Sequence, residues 1–153
     1  MELKKLSFGT DGVRDKVGDA GISPEFVLRL GVVAGKVFSS LSSKPSVILG
    51  RDTRISGQMF ESALQAGFTS AGVDVVLAGC IPTPAVAYLT KSMRLTAGIV
   101  ISASHNSYED NGIKFFDGDG NKLPDQIEQT IESTFNDYTF SNASLVLGKV
   151  NHL

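Results

Sequence analysis

Residues 47–101 read VILGRDTRISGQMFESALQAGFTSAGVDVVLAGCIPTPAVAYLTKSMRLTAGIVI. Three short apolar runs, at 47–49, 73–77 and 97–101, are rich in β-branched residues and read as buried strands. Between the first two, Phe60, Leu64 and Phe68 recur every fourth residue and Gly72 stops the pattern, as at a helix end. Thr83-Pro84 starts a further helix that runs to about Met93. Right-handed crossovers in the order strand, helix, strand, helix, strand lay the three strands parallel, with helices covering the sheet.

Working outward, Ser23-Pro24-Glu25 reads as a helix start, serine at the cap and proline at the first helical position. Phe26, Leu30, Val33, Ala34, Val37 and Leu41 then share one helical face. Gly31 and Gly35 are costly inside a helix, so they point to close packing against a neighbour. Ser56 is the expected cap of the second helix. Gly112 to Phe116 reads as a fourth strand. Only about ten residues separate it from the third, fewer than a parallel crossover needs, so it should run antiparallel. Pro124 opens a last helix with Ile127, Ile131 and Phe135 in register. The expected fold is α/β: a three-layer sandwich whose mostly parallel, four-stranded mixed sheet, last strand antiparallel, lies between helices. One domain is expected over residues 1–140. Residues 141–153, polar and then apolar at Leu145-Val146-Leu147, read as the start of a linker to a second domain outside this sequence.

The 153 residues carry 42% hydrophobic and 20% charged side chains, the balance of a globular chain. The net charge of −2 gives no electrostatic reason to expect nucleic acid or an anionic membrane as partner. The single cysteine, Cys80, allows no intrachain disulfide; without metal partners at useful spacing, it reads as a small buried residue. The N-terminus lacks the apolar core of a signal peptide and no apolar run approaches spanning length. A cytoplasmic protein is the expectation.

In open α/β sheets ligands sit beyond the carboxyl ends of the parallel strands. The longest and most polar segment leaving such an end is Ser102–Asn111, the expected active edge. Ser104 and His105 invite a hydrolase reading. Adjacent residues of an extended segment point opposite ways, however, and no Gly-x-Ser-x-Gly elbow surrounds Ser104. Asp117-Gly118-Asp119-Gly120-Asn121, with Glu128 beyond, partly matches a calcium loop, but Lys122 stands where that loop needs glycine and a strand precedes it. A polar turn between strand and helix is the better reading.

Ile101-Ser102-Ala103-Ser104-His105-Asn106 resembles the phosphoserine signature of the α-D-phosphohexomutases. Asp110-Asn111-Gly112-Ile113-Lys114-Phe115-Phe116 and Phe8-Gly9-Thr10-Asp11-Gly12-Val13-Arg14 are similar to the phosphoglucosamine mutase branch of that family. Gly50-Arg51-Asp52-Thr53-Arg54 and Ile81-Pro82-Thr83-Pro84 match in order and spacing. The resemblance implies the first, phosphoserine-bearing domain of an enzyme interconverting glucosamine 6-phosphate and glucosamine 1-phosphate through a hexosamine 1,6-bisphosphate. It implies that Ser104 carries the phosphoryl group and through that phosphate ligates Mg²⁺. Lys114 would neutralise phosphate or act as acid/base, His105 would assist at the serine loop, and Arg14 and Asn106 would contact phosphate. The same chemistry on glucose or mannose phosphate is the near rival; a stand-alone, non-catalytic binding domain is the rival of another class. Other metal ligands, sugar recognition and the substrate-phosphate clamp belong to the family's later domains, so the chain alone is expected to be inactive. Its partners would be a small phosphosugar and those domains, with neither nucleic acid nor a membrane. The family usually has proline after His-Asn; Ser107 stands there and removes one restraint on Asn106. Arg51 and Asp52 are expected to pair and hold their loop.

Overall fold

A computed structural model describes residues 3–139 and 146–153. Its elements in chain order are β1 (Val13–Lys16), α1 (Pro24–Leu41), β2 (Ser46–Arg51), α2 (Ser56–Ser70), β3 (Asp74–Cys80), α3 (Thr83–Ser92), β4 (Ala97–Ile101), β5 (Asp110–Asp117), α4 (Asp125–Asn136) and β6 (Val150–His152). One sheet holds the six strands in the order β1-β5-β4-β2-β3-β6. β2 lies parallel to β3 and to β4, β3 lies parallel to β6, and β5 runs antiparallel to both β4 and β1. The α/β class, the parallel centre and the reversed β5 agree with the sequence; the count of four strands is corrected to six.

Both additional strands are edges. β1 reads Val-Arg-Asp-Lys and β6 Val-Asn-His, each with a single apolar residue. Strand structure there comes from docking on a neighbour, a tertiary effect that hydrophobic periodicity does not register. Residues 150–152, within the stretch read as a linker, are thus hydrogen-bonded to the sheet; Leu145 lies outside the described residues.

The main core joins α1, α2 and α4 to one sheet face through Phe26, Phe38, Phe60, Phe68, Leu49, Ile99, Phe115 and Phe135. A smaller cluster of Ile48, Val86, Val100 and Phe116 holds α3 on the opposite face. α1 is capped as read: the Ser23 hydroxyl accepts the Phe26 N–H at 3.1 Å. α2 is not. Ile55 occupies its cap position without a side-chain bond, and the Ser56 hydroxyl accepts instead from Asn111 at 2.8 Å.

The glycine pair in α1 does permit close packing. A Cβ on Gly31 would stand 3.0 Å from the Leu64 carbonyl oxygen and 3.1 Å from the Gly67 Cα on α2. The Gly31→Ala variant should lose about 1–3 kcal/mol to overpacking, because backbone rather than a flexible side chain must move. Urea unfolding should show this as a lower midpoint at unchanged slope.

Candidate active site at the carboxyl edge of the sheet

The segment between β4 and β5 folds back on itself. The Asn106 N–H donates to the Ala103 carbonyl at 3.0 Å, closing a turn, and the Ser102 hydroxyl accepts the Ser104 N–H at 3.0 Å. Ala103 is fully buried and anchors the turn, whereas Ser104 is exposed. Ser104 has φ +53°, a left-handed backbone that costs a non-glycine residue about 1–2 kcal/mol and persists only when its surroundings hold it.

Its hydroxyl faces a cation. Arg14, on β1, lies opposite Gly112 of β5, and its Nη2 donates to Ser104 Oγ at 3.2 Å. The Arg14 Nε is buried without a hydrogen-bond partner. The loop that delivers Arg14 is fixed from behind: the Phe8 ring stands edge-on to Phe115 at 5.7 Å, and the Phe8 N–H donates to Glu132 at 2.6 Å. Next to Arg14, Asp15 is held below the usual carboxylate range, first by the Lys4 ammonium bonded to it and then by the Lys16 N–H.

Lys114 pairs with Val100 across β4 and β5, so it shares the α3-side face with Gly112 and, through the register, with Arg14. This bears out the alternation argument, since Ile113 and Phe115 enter the main core on the other face. Its ammonium stands 5.3 Å from the Phe116 ring centroid and, among the described residues, has no carboxylate within ion-pair distance. No hydrogen bond joins it to Ser104.

His105 is exposed beside Ser104, with no contact tying its ring to Ser104 Oγ. Among the described residues the one side-chain partner of that oxygen is a guanidinium, which cannot take a proton, so no Ser-His relay is formed there. The Asn106 amide is turned toward Asp110, at 3.4 Å.

The expected Arg51–Asp52 pair is corrected. Arg51 is paired with Glu61 at 3.3 Å, and Asp52 with Arg54 at 3.2 Å. Arg54, to which the sequence assigns no role, makes more hydrogen bonds to the serine loop than any other side chain among the described residues. It donates to the carbonyl oxygens of Ser104 and Asn106 at 3.0 Å each, of Ser107 at 2.6 Å and of Asp110 at 3.2 Å. The buried Asn111 adds a second brace, bonding Ser56 through its amide nitrogen and accepting the Gly112 N–H through its oxygen. The Arg54 clamp is not recognisable from spacing, because backbone carbonyls leave no trace in residue type, and neither is the Asn111 brace, because Ser56 is far from it in sequence.

In the calcium-like segment, Asp117 Oδ1 accepts the N–H groups of Asp119 and Asn121, while Glu128 bonds Lys122 at 2.9 Å. This is a turn that satisfies its own backbone. Cys80, expected to be buried, is exposed at the end of β3. No group of three or more His, Cys, Asp or Glu side chains is placed to hold a metal ion among the described residues. Among the described residues no helix is long and apolar enough to cross a membrane.

The model of the phosphoglucomutase/phosphomannomutase family's α/β/α domain I matches residues 5–142. The chain is 60% identical over 152 residues to the phosphoglucosamine mutases of Burkholderia mallei and Burkholderia pseudomallei, covering 95% of this chain and 34% of each relative. It therefore spans about a third of the length of the curated relatives it matches. Among solved structures, a putative phosphomannomutase from Thermus thermophilus superposes with a TM-score of 0.85 at 25% identity, over 99% of this chain and 34% of that one. A phosphoglucomutase/phosphomannomutase family protein from Burkholderia thailandensis does so with 0.80 at 27%, over 95% and 32%.

Proposed function

Since the chain belongs to the phosphoglucomutase/phosphomannomutase family, as its first α/β/α domain, we propose that it is the phosphoserine domain of a cytoplasmic phosphoglucosamine mutase. The observation that carries the reading is the exposed Ser104 hydroxyl, presented from a left-handed turn to the Arg14 guanidinium. The 60% identity to proteins named phosphoglucosamine mutase favours glucosamine phosphate over glucose or mannose phosphate as substrate.

In this reading Ser104 Oγ carries a phosphoryl group. A hydroxyl oxygen of the bound hexosamine phosphate attacks the phosphorus as the bond to Ser104 Oγ breaks, and a hexosamine 1,6-bisphosphate forms. That intermediate turns over, its other phosphoryl group returns to Ser104, and the isomeric monophosphate leaves. Phosphoryl transfer asks of a protein mainly position and compensation of negative charge. Phosphoserine brings between one and two negative charges at neutral pH. Arg14 meets that charge directly. Lys114, a cation without a carboxylate partner on the same sheet face, supplies a second positive charge and a proton to exchange with the reacting oxygens. His105 and Asn106 shape the turn. Mg²⁺ would be held by the Ser104 phosphate, with its other ligands from a later domain, and would neutralise the transferring group. Sugar recognition also falls outside this chain, so the isolated chain should not interconvert glucosamine phosphates.

The test is intact-mass measurement and phosphopeptide mapping of the full-length protein after incubation with glucosamine 1,6-bisphosphate. One phosphoryl group on Ser104 is the expected result. A protein left unmodified, or modified at another residue, would falsify the proposal and leave a non-catalytic binding domain as the better reading.

A further inference from the structure

Arg54 has a role that the phosphate chemistry does not assign. A guanidinium has five N–H donors in a fixed planar fork, and in Arg54 all five are spent. Nε goes to Asp52 Oδ2; Nη1 goes to the carbonyl oxygens of Ser107 and Asp110; Nη2 goes to those of Ser104 and Asn106. The side chain is 11% exposed. Asp52 orients the fork through Nε, and its other oxygen accepts the backbone N–H of Arg54 at 3.1 Å. The Asp52 N–H is itself bonded to the Ile101 carbonyl at the end of β4. The β2–α2 turn thus grips both limbs of the serine loop from the rigid end of the sheet.

With no donor left over, Arg54 cannot serve as a phosphate ligand. What it can do is fix a backbone. Ser104 sits in a left-handed conformation disfavoured for serine, and a carbonyl locked on Arg54 is one of few restraints that keep it there. Ser107 lacks the stiffness of a proline, and its carbonyl makes the shortest of the four bonds.

We propose that Arg54 is the positioning residue of the phosphoryl-carrying loop: its five-bond clamp holds Ser104 Oγ toward Arg14, both before and after phosphorylation. The effect on catalysis rests on the mutase reading; the clamp itself does not.

Two arms separate them. In Arg54→Lys the charge stays but three flexible donors replace the planar fork. Hydrogen exchange on the full chain should show amides 103–110 exchanging at least about tenfold faster, with α1 unchanged, as expected for a local opening. In the full-length protein, Arg54→Lys should lower kcat by about 30–100-fold with KM within about threefold, because no substrate contact is removed. Unchanged exchange in residues 103–110 overturns the clamp. Faster exchange with unchanged kcat overturns its catalytic role, as does an equal rise of KM. Absence of turnover in the unsubstituted full-length protein overturns the mutase reading and with it the catalytic role, while the exchange arm still decides the clamp.

Discussion

On the mutase reading, Ser104→Gly is expected to abolish turnover in the full-length protein, lowering kcat by roughly four orders of magnitude or more, since the proposed carrier of the phosphoryl group is removed. Glycine removes the hydroxyl and adopts the left-handed backbone of residue 104 at no steric cost. Ser104 is exposed, and its side chain makes one bond, to Arg14. Relief of the left-handed strain and the greater freedom of glycine in the unfolded chain oppose each other, so stability should stay within about 1 kcal/mol of the parent. Substrate binding should survive, because the hydroxyl is needed for group transfer and not for holding the sugar. Steady-state kinetics on glucosamine 6-phosphate, with urea unfolding as the control, decide the matter. Turnover within tenfold of the parent would mean that Ser104 is not the carrier.

The centre of the fold is legible because burial dictates composition there. β2, β3 and β4 are apolar runs, the helix between the first two shows a helical period and Thr83-Pro84 opens the next, so class, order and parallel pairing follow. The direction of β5 follows from chain length alone. What escaped notice depends on tertiary context. Val13–Lys16 is a strand because β5 offers an unpaired edge. Ser56 looks like a cap, but its hydroxyl is more useful to a buried Asn111 that would otherwise lack a partner for its amide. The site divides in the same way. Ser104, Lys114 and Arg14 stood out as residue types and through a family resemblance. The structure supplies the direct contact of Arg14, leaves Lys114 against Phe116, and turns Asn106 to Asp110. The role of Arg54 is not legible in the sequence because four of the five partners of its guanidinium are backbone carbonyls, which every sequence possesses.

Gly112 leaves room for the Arg14 stem and for two backbone carbonyls. A Cβ at residue 112 would stand 2.8 Å from Arg14 Cγ, 2.8 Å from the Ser102 carbonyl oxygen and 3.0 Å from that of Val13. Two of these neighbours are backbone, one in β1 and one just past the end of β4, so they cannot swing aside as the Arg14 stem can. Gly112→Ala should accordingly push the guanidinium off Ser104 and strain the β1–β5 edge at once. Overpacking of this kind costs about 1–3 kcal/mol. Loss of one preorganised charge contact to the transferring group should lower kcat about 10²–10³-fold. Arg14→Ala should lower kcat to a similar extent while leaving stability closer to the parent. The double variant discriminates: if Gly112→Ala acts on catalysis through Arg14, adding Arg14→Ala should change kcat little further. Independent, multiplicative losses would show instead that the Arg14 stem is not what residue 112 must leave room for.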